Sequence, residues 1–94
     1  MYLIRHTKDY ERSYTKLLKS GAKKKVLDDI ALVIDMLAQG ETLDAQYRDH
    51  KLQGDYARYR ECHIRTDLLL VYQVHEGALI LVLAGIGTHA HLFE

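Results

Sequence analysis

Cysteine is almost missing from this chain of 94 residues, which contains only Cys62. A single cysteine excludes an internal disulfide, and the N-terminus has no basic-then-apolar leader, so we expect a cytoplasmic protein. Long apolar runs are missing as well. The longest, residues 78–86, spans nine residues, whereas a membrane helix needs about 18. The sequence therefore predicts a protein without a membrane-spanning segment.

An excess of charge of either sign is also missing, because 13 basic residues balance 13 acidic ones. A protein that binds naked nucleic acid draws its affinity from neutralised phosphates. Any RNA contact must therefore come from a local patch, or from a partner that helps to hold the RNA. Proline is absent and no linker or repeat interrupts the chain. The length and the 48% hydrophobic content predict one globular domain over residues 1–94.

The first half of the chain contains apolar residues at helical spacing. A first helix is predicted between a cap at Thr7 and a stop at Gly21. A second helix carries an apolar stripe over residues 26–37 and ends at Gly40. A short strand over residues 2–6 is predicted before both helices.

The second half changes to strand-like segments rich in Leu, Val, Ile and Tyr. They cover residues 57–64, 68–75 and 78–86, and Glu76-Gly77 is suited to a tight turn. Residues 41–55 have no clear period and are predicted to form a loop. Helices followed by strands indicate an α+β fold, with the N-terminal strand and two helices packed on a small antiparallel sheet. The other face of the sheet is left for a site.

Six histidines supply groups that exchange protons near neutral pH. His50, His63 and His89 stand beside other polar residues at the ends of predicted elements, and Asp67 follows His63 closely. If the last three strands are neighbours, their ends converge at one edge of the sheet. These four residues are therefore candidates for an acid–base site.

Metal binding is the main alternative for the C-terminal histidines. His89 and His91 would share a face if they lay on a strand, but a structural zinc site needs four ligands. We therefore predict no metal. Cys62 alternates with His63 and is expected in the core rather than as a nucleophile. Histidine chemistry without a metal or a covalent nucleophile suits attack by a group of the substrate itself, such as the 2′-hydroxyl of RNA.

The most specific signal is an ordered set of spaced residues. It consists of Tyr47-x-Asp49-His50-x-Leu52-x-Gly54, Tyr59-Arg60-x-x-His63-x-x-x-Asp67, Leu70-x-Tyr72 and Gly87-Thr88-His89-x-x-Leu92-Phe93. This set resembles the YafQ-like branch of the RelE superfamily, the toxins of bacterial type II toxin–antitoxin pairs. The resemblance spans nearly the whole chain and implies a RelE-like fold.

The resemblance also implies an activity and its partners. It implies a ribosome-dependent mRNA endoribonuclease without metal or cofactor, in which the 2′-hydroxyl attacks the adjacent phosphate. The partners would be a cognate antitoxin, the ribosome and mRNA, with DNA contacted only through the antitoxin. Because the ribosome would position the RNA, a neutral toxin suffices.

Site residues follow from the resemblance position by position. The catalytic set would be His50, His63, Asp67 and His89. Among these, His89 would be the general acid, and the other three would share base duty and orientation. Phe93 would stack on an RNA base. Arg60 matches a motif arginine, but its alternation with His63 places it on the other face of its strand.

Two positions depart from the family pattern. Gly85 stands where the family has an arginine that can stabilise phosphate charge, and Leu68 stands where some relatives have tryptophan. Arg65 or another cation could replace the missing arginine and contact the substrate. Alternatively, the protein is a weakened or inactive toxin fold that acts by binding its antitoxin. If position 85 limits the activity, Gly85→Arg should increase toxicity.

Overall fold

The computed structural model describes residues 1–93 as three helices and five strands. The elements are β1 (Leu3–His6), α1 (Lys8–Lys19), α2 (Lys24–Ala38), β2 (His50–Lys51), β3 (Arg60–Arg65), β4 (Leu68–His75), β5 (Ile80–Gly87) and α3 (His89–Phe93). Two short 3-10 turns, Ala45–Tyr47 and Gly54–Tyr56, flank β2. The α+β class predicted from the sequence is confirmed. No helix in the described part of the chain is long and apolar enough to cross a bilayer.

The two long helices begin and end close to where the sequence places their signals. Thr7 caps α1, because its hydroxyl accepts a hydrogen bond from the Tyr10 backbone N–H at 3.1 Å. Gly21 follows α1 with a φ of 88°, and Gly40 follows α2 with a φ of 80°. Both angles lie in the left-handed region that ends helices and favours glycine.

The core lies between the helices and one face of the sheet. Its members are apolar residues of α1, α2, β3, β4 and β5, among them Tyr10, Ile30, Val33, Cys62, Leu70, Tyr72, Leu81 and Ile86. Cys62 is fully buried, as its alternation with His63 predicts. Burial, and then the nearby Asp49 and Glu61 carboxylates, raise the pKa of its thiol to about 12. The thiol therefore stays protonated and does not serve as a nucleophile.

The sheet is larger than predicted and is mixed. Its strand order is β1-β5-β4-β3-β2, with β1 parallel to β5 and every other pair antiparallel. The N-terminal strand joins the sheet edge instead of packing on it with the helices. The connection between the parallel strands β1 and β5 contains both long helices and the strands β2, β3 and β4. β2 has only two residues, which is too short for any periodicity in the sequence to reveal.

The C-terminal tail is helical. Residues His89–Phe93 form α3, and the Thr88 hydroxyl accepts a hydrogen bond from the His91 backbone N–H at 3.2 Å. Gly87, with a φ of 156°, lets the chain leave β5 for this turn. The strand geometry that would have placed His89 and His91 on one face is therefore absent.

Two rows of residues cross the sheet face that points away from the core. Cross-strand pairing gives the first row as His50, Glu61, Val71 and Gly85. It gives the second row as His63, Leu69 and Gly87. Alternate residues of a strand share a face, so both rows lie opposite the core residues Cys62, Leu70 and Ile86. We call this surface the second face.

Candidate active site

His50 and His63 lie side by side on the second face. β2 pairs with β3 so that His50 stands opposite Glu61, two residues from His63. The two imidazole rings are stacked with centroids 6.2 Å apart. The structure thus brings together two residues of the predicted catalytic set that are 13 positions apart in the sequence.

Glu61 is part of this cluster although the sequence analysis did not select it. Its side chain is only 8% exposed, and its Oε2 lies 2.9 Å from His50 Nε2. Its other oxygen, Oε1, is buried without a hydrogen-bond partner among residues 1–93. A buried carboxylate is unusual unless it is paired. The signal was present in the sequence, because Glu61 and His63 are alternate residues of one predicted strand.

The contacts of His50 fix where its protons are. Its Nδ1 lies 2.7 Å from the Arg48 carbonyl oxygen, and a carbonyl can only accept, so Nδ1 carries a proton. Its Nε2 faces the Glu61 carboxylate. A proton on Nε2 would be donated to Glu61 Oε2, so the two side chains can form a hydrogen bond through one shared proton.

In His63 the Nδ1 atom accepts a hydrogen bond instead of donating one. Its Nδ1 lies 3.1 Å from a terminal nitrogen of Arg48, and a guanidinium can only donate, so Nδ1 accepts and the ring proton resides on Nε2. Partial burial, and then the Arg48 charge, lower the pKa of His63 below its ordinary value of 6.5. At neutral pH His63 is a neutral imidazole with one N–H to donate.

This state of His63 predicts a pH dependence of stability. The unfolded chain takes up a proton at His63 before the folded protein does. The free energy of unfolding should therefore fall as pH drops from about 6.5 toward the lowered pKa of the folded state. Urea denaturation at several pH values should show this loss, and His63→Gln should make it smaller. A His63 pKa of 6.5 or higher in an NMR titration would contradict the assignment.

Arg48 and Asp49 hold this arrangement from the loop before β2. Arg48 has a φ of 45°, in the left-handed region that non-glycine residues rarely adopt. Asp49 accepts hydrogen bonds from the buried Tyr72 hydroxyl and, at 3.3–3.4 Å, from two guanidinium nitrogens of Arg60. Arg60 lies on the face opposite His63, as its alternation predicts. The loop that leads to His50 is thus anchored by three motif residues that have no proposed role in proton transfer, namely Asp49, Arg60 and Tyr72.

Asp67 and Arg65 lie outside the histidine cluster. Asp67 is exposed in the turn between β3 and β4, with no hydrogen bond to His50, Glu61 or His63. The Arg65 guanidinium donates to Asp29 of α2 at 2.6 and 3.0 Å. A bulge between His63 and Arg65 breaks the alternation that would have placed both on one face. In this structure Arg65 is therefore engaged by a helix on the core side.

His89 and Phe93 reach the second face on α3. Their rings are 5.0 Å apart, and Phe93 also meets Tyr56 edge-on at 5.1 Å. Leu92 lies over Gly85, since a Cβ built on that glycine would be 3.1 Å from Leu92 Cδ2. α3 therefore packs on β5. Because only β4 lies between β5 and β3, the backbones of these two strands are about 10 Å apart. His89 is exposed, so it can meet a substrate that also reaches His63.

Comparisons with known proteins agree with this geometry. The model of the YafQ family, bacterial toxins of type II toxin–antitoxin systems, matches residues 2–94. The chain belongs to this family. The mRNA interferase toxin YafQ of Escherichia coli strain K12 is 31% identical over 93 residues, which cover 97% of this chain and 99% of the relative.

Solved structures of bacterial toxins share the fold. A metal-bound toxin from Helicobacter pylori superposes with a TM-score of 0.85 at 36% identity, covering 99% of this chain and 100% of the other. The toxin–antitoxin complex DinJ-YafQ of E. coli gives a TM-score of 0.84 at 26% identity, covering 99% and 98%. The recognition of this family from spaced residues is confirmed.

The histidine cluster of this YafQ-family chain also has the composition of a metal site. Ligand atoms of His50, Glu61 and His63 all lie within 4.8 Å of one another, and two imidazoles with one carboxylate are a ligand set that zinc accepts. His89 and His91 do not form the alternative pair, because residues two apart on a helix point in different directions. A divalent ion at the cluster would occupy the nitrogen and oxygen atoms that otherwise exchange protons.

A cavity of about 570 Å³ adjoins α3 on the second face. Gly85 and Gly87 form part of its lining, and Tyr56 and Leu92 line it as well. Its remaining lining includes polar residues of α1, among them Arg12, Ser13 and Lys16. A volume of this size is typical of small-ligand sites, so it gives room for a nucleotide beside α3, where His91 and Leu92 line it.

Proposed function

We propose that this YafQ-family protein is a ribosome-dependent mRNA endoribonuclease toxin that cuts RNA by attack of the 2′-hydroxyl. The observation that carries the proposal is the proton-sharing pair of His50 and Glu61 beside a neutral His63, on the face that also presents His89. Support comes from the E. coli relative, which is named an mRNA interferase. The protein would act in the cytoplasm, where translating ribosomes are found.

The reaction needs a base, an acid and donors for the developing charge. The 2′-oxygen bonds to phosphorus, the bond to the 5′-oxygen breaks, and a cyclic phosphate and a 5′-hydroxyl result. His89 gives its proton to the leaving oxygen. His63 donates its Nε2–H to a phosphate oxygen, since Arg48 occupies its Nδ1. His50, whose Nε2 contacts the Glu61 carboxylate, and Asp67 are the candidates for the base.

Aromatic side chains supply the binding surface for a base. Phe93 and Tyr56 meet edge to face at 5.1 Å, next to the cavity beside α3. Splayed RNA bases stack on aromatic rings of this kind. Phe93 therefore holds a nucleotide next to His89, and the cavity receives its neighbour.

The partners of the proposed toxin are an antitoxin and the ribosome. In the E. coli structure the relative is seen in complex with DinJ, and we infer that a cognate antitoxin binds and neutralises this chain. The net charge of zero gives little affinity for free RNA, so the ribosome must position the message. Contact with DNA would occur only through the antitoxin.

A reconstituted translation reaction tests the proposal. We expect purified protein to cut mRNA on translating ribosomes, to leave free RNA intact, and to produce cyclic-phosphate and 5′-hydroxyl ends. A message with a 2′-deoxynucleotide at the cut position should resist cleavage. A zinc-selective chelator that spares the magnesium of the ribosome should change nothing. Cleavage of the 2′-deoxy message, or a requirement for added metal, would contradict the mechanism.

An inactive toxin fold is the second candidate, and Gly85 is the observation that favours it. A Cβ at position 85 would lie 3.1 Å from Leu92 Cδ2, so Gly85→Arg requires the Leu92 side chain to shift by a few tenths of an ångström. The sharper test combines Gly85→Arg with Leu92→Ala and uses Leu92→Ala as the control. If the wild type and the double variant both bind antitoxin but cut no message, the protein acts by binding alone.

A further inference from the structure

Arg48 is a cation beside His63 that the proposed reaction has not yet used. Its side chain is exposed, and one terminal nitrogen donates to His63 Nδ1 at 3.1 Å. A guanidinium has five N–H donors, so most of the donors of Arg48 remain available to a ligand. They lie beside the imidazole that donates from its other nitrogen.

Among the other five arginines, three are engaged by carboxylates within residues 1–93, whereas Arg5 and Arg58 are not. Arg12 pairs with Asp9, Arg60 with Asp49 and Arg65 with Asp29. Within residues 1–93, Arg48 pairs with no carboxylate. An exposed arginine without an acid partner keeps its charge available for an anion. Arg65, the cation that the sequence favoured, is instead engaged by α2.

The backbone at Arg48 is strained, and the hydrogen bonds of the next residue maintain the strain. A left-handed φ is unfavourable for a residue other than glycine. It persists here because Asp49, the next residue, is held by Tyr72 and Arg60. The same bend turns the Arg48 carbonyl to His50 and its guanidinium to His63. One strained residue thus organises both histidines and is itself held in place.

We propose that Arg48 is a further catalytic residue that contacts the scissile phosphate and stabilises its charge at the site where Gly85 provides none. This inference rests on the proposed function. Guanidinium binds phosphate through two parallel N–H donors. The donors of Arg48 and the Nε2–H of His63 thus converge on the phosphate from neighbouring positions. The cation that stabilises the phosphate charge thus comes from the loop before β2 and not from β5.

Nucleotide binding tests Arg48 without any need for cleavage. Adenosine 3′-monophosphate, which carries the phosphate of a cut strand, is titrated into the 15N-labelled full chain while the arginine Nε resonances are followed. Arg48→Gly removes the guanidinium and tolerates the left-handed backbone, so it should fold at least as well as the wild type. We expect it to weaken nucleotide binding about tenfold to a hundredfold, and Arg48→Lys to recover part of the loss.

Arg5→Ala is the matched control. Arg5 is an exposed arginine on β1, at the opposite edge of the five-stranded sheet from β2, and its removal should leave nucleotide binding unchanged. The proposal is overturned if Arg48→Gly binds like the wild type, if Arg65→Ala alone causes the loss, or if the Arg48 Nε resonance of the wild type does not move at the highest soluble nucleotide concentration.

Ribosome-dependent cleavage separates this proposal from the function on which it rests. We expect Arg48→Gly to reduce cleavage about 10²–10³-fold, as the loss of a donor to a developing charge does. If the wild type binds nucleotide through Arg48 but cuts no message, the proposed function fails and the phosphate site stands. If the wild type cuts and Arg48→Gly cuts equally well, the phosphate site fails and the function stands.

Discussion

Replacing His89 by alanine is expected to reduce cleavage of ribosome-bound mRNA about 10²–10⁴-fold, the usual contribution of a positioned general acid. The variant should fold normally, because His89 is exposed at the first position of α3 and exposed substitutions change stability little. Single-turnover cleavage on stalled ribosomes measures the effect. The loss should appear in the rate of the chemical step, while binding to the ribosome stays unchanged.

His75→Ala is the control for that experiment. His75 is exposed at the end of β4, opposite Ile80 and away from the cavity beside α3, so its removal reproduces the loss of an imidazole without the loss of His89. The assignment of His89 is wrong if both variants lose the same activity. It is also wrong if a substrate with a better leaving group fails to rescue His89→Ala, because such a substrate no longer needs the acid.

Replacing Asp49 by alanine is the second substitution with a large expected effect. It leaves the Tyr72 hydroxyl buried without its acceptor, in a residue that is only 1% exposed. Leaving such a group unsatisfied costs about 1–3 kcal/mol of unfolding free energy. It also releases the loop that carries Arg48 and His50, so cleavage should fall more than stability alone explains. Chemical denaturation and cleavage on stalled ribosomes measure the two effects.

Tyr72→Phe separates the two roles of Asp49. It removes the hydroxyl together with its need for an acceptor, so stability should change less than in Asp49→Ala. Asp49 keeps its contacts with Arg60, and the loop should remain anchored. Equal losses of activity in Tyr72→Phe and Asp49→Ala would show that the loop needs the tyrosine itself. Full activity in Asp49→Ala would remove the anchoring role.

Local signals in the sequence predict the regular elements well. Thr7, Gly21 and Gly40 mark helix boundaries because capping and left-handed backbone depend on residue type within one turn. Alternation predicts that Cys62 faces the core and His63 the opposite side. The spaced histidines and their neighbours identify the family. All of these signals act over a few residues, and the structure preserves them.

The features that the sequence does not predict depend on contacts between segments that are far apart in the chain. The parallel pairing of β1 with β5 leaves no trace in either strand alone, and β2 exists only because β3 lies beside it. The helix of the tail places Leu92 over Gly85, a residue of β5. Glu61 became a site residue only when His50 was placed opposite. The sequence contains these residues, but their roles follow only from their contacts in the folded protein.

The pairing of β1 with β5 has a consequence for synthesis of the protein. The strand made first cannot complete its hydrogen bonds until residues 80–83 have emerged, and α3 with His89 emerges later still. Contacts between segments so far apart delay folding until both are available. A nascent chain therefore carries histidines but no assembled centre. A protein whose proposed target is the ribosome would stay harmless to the ribosome that is making it.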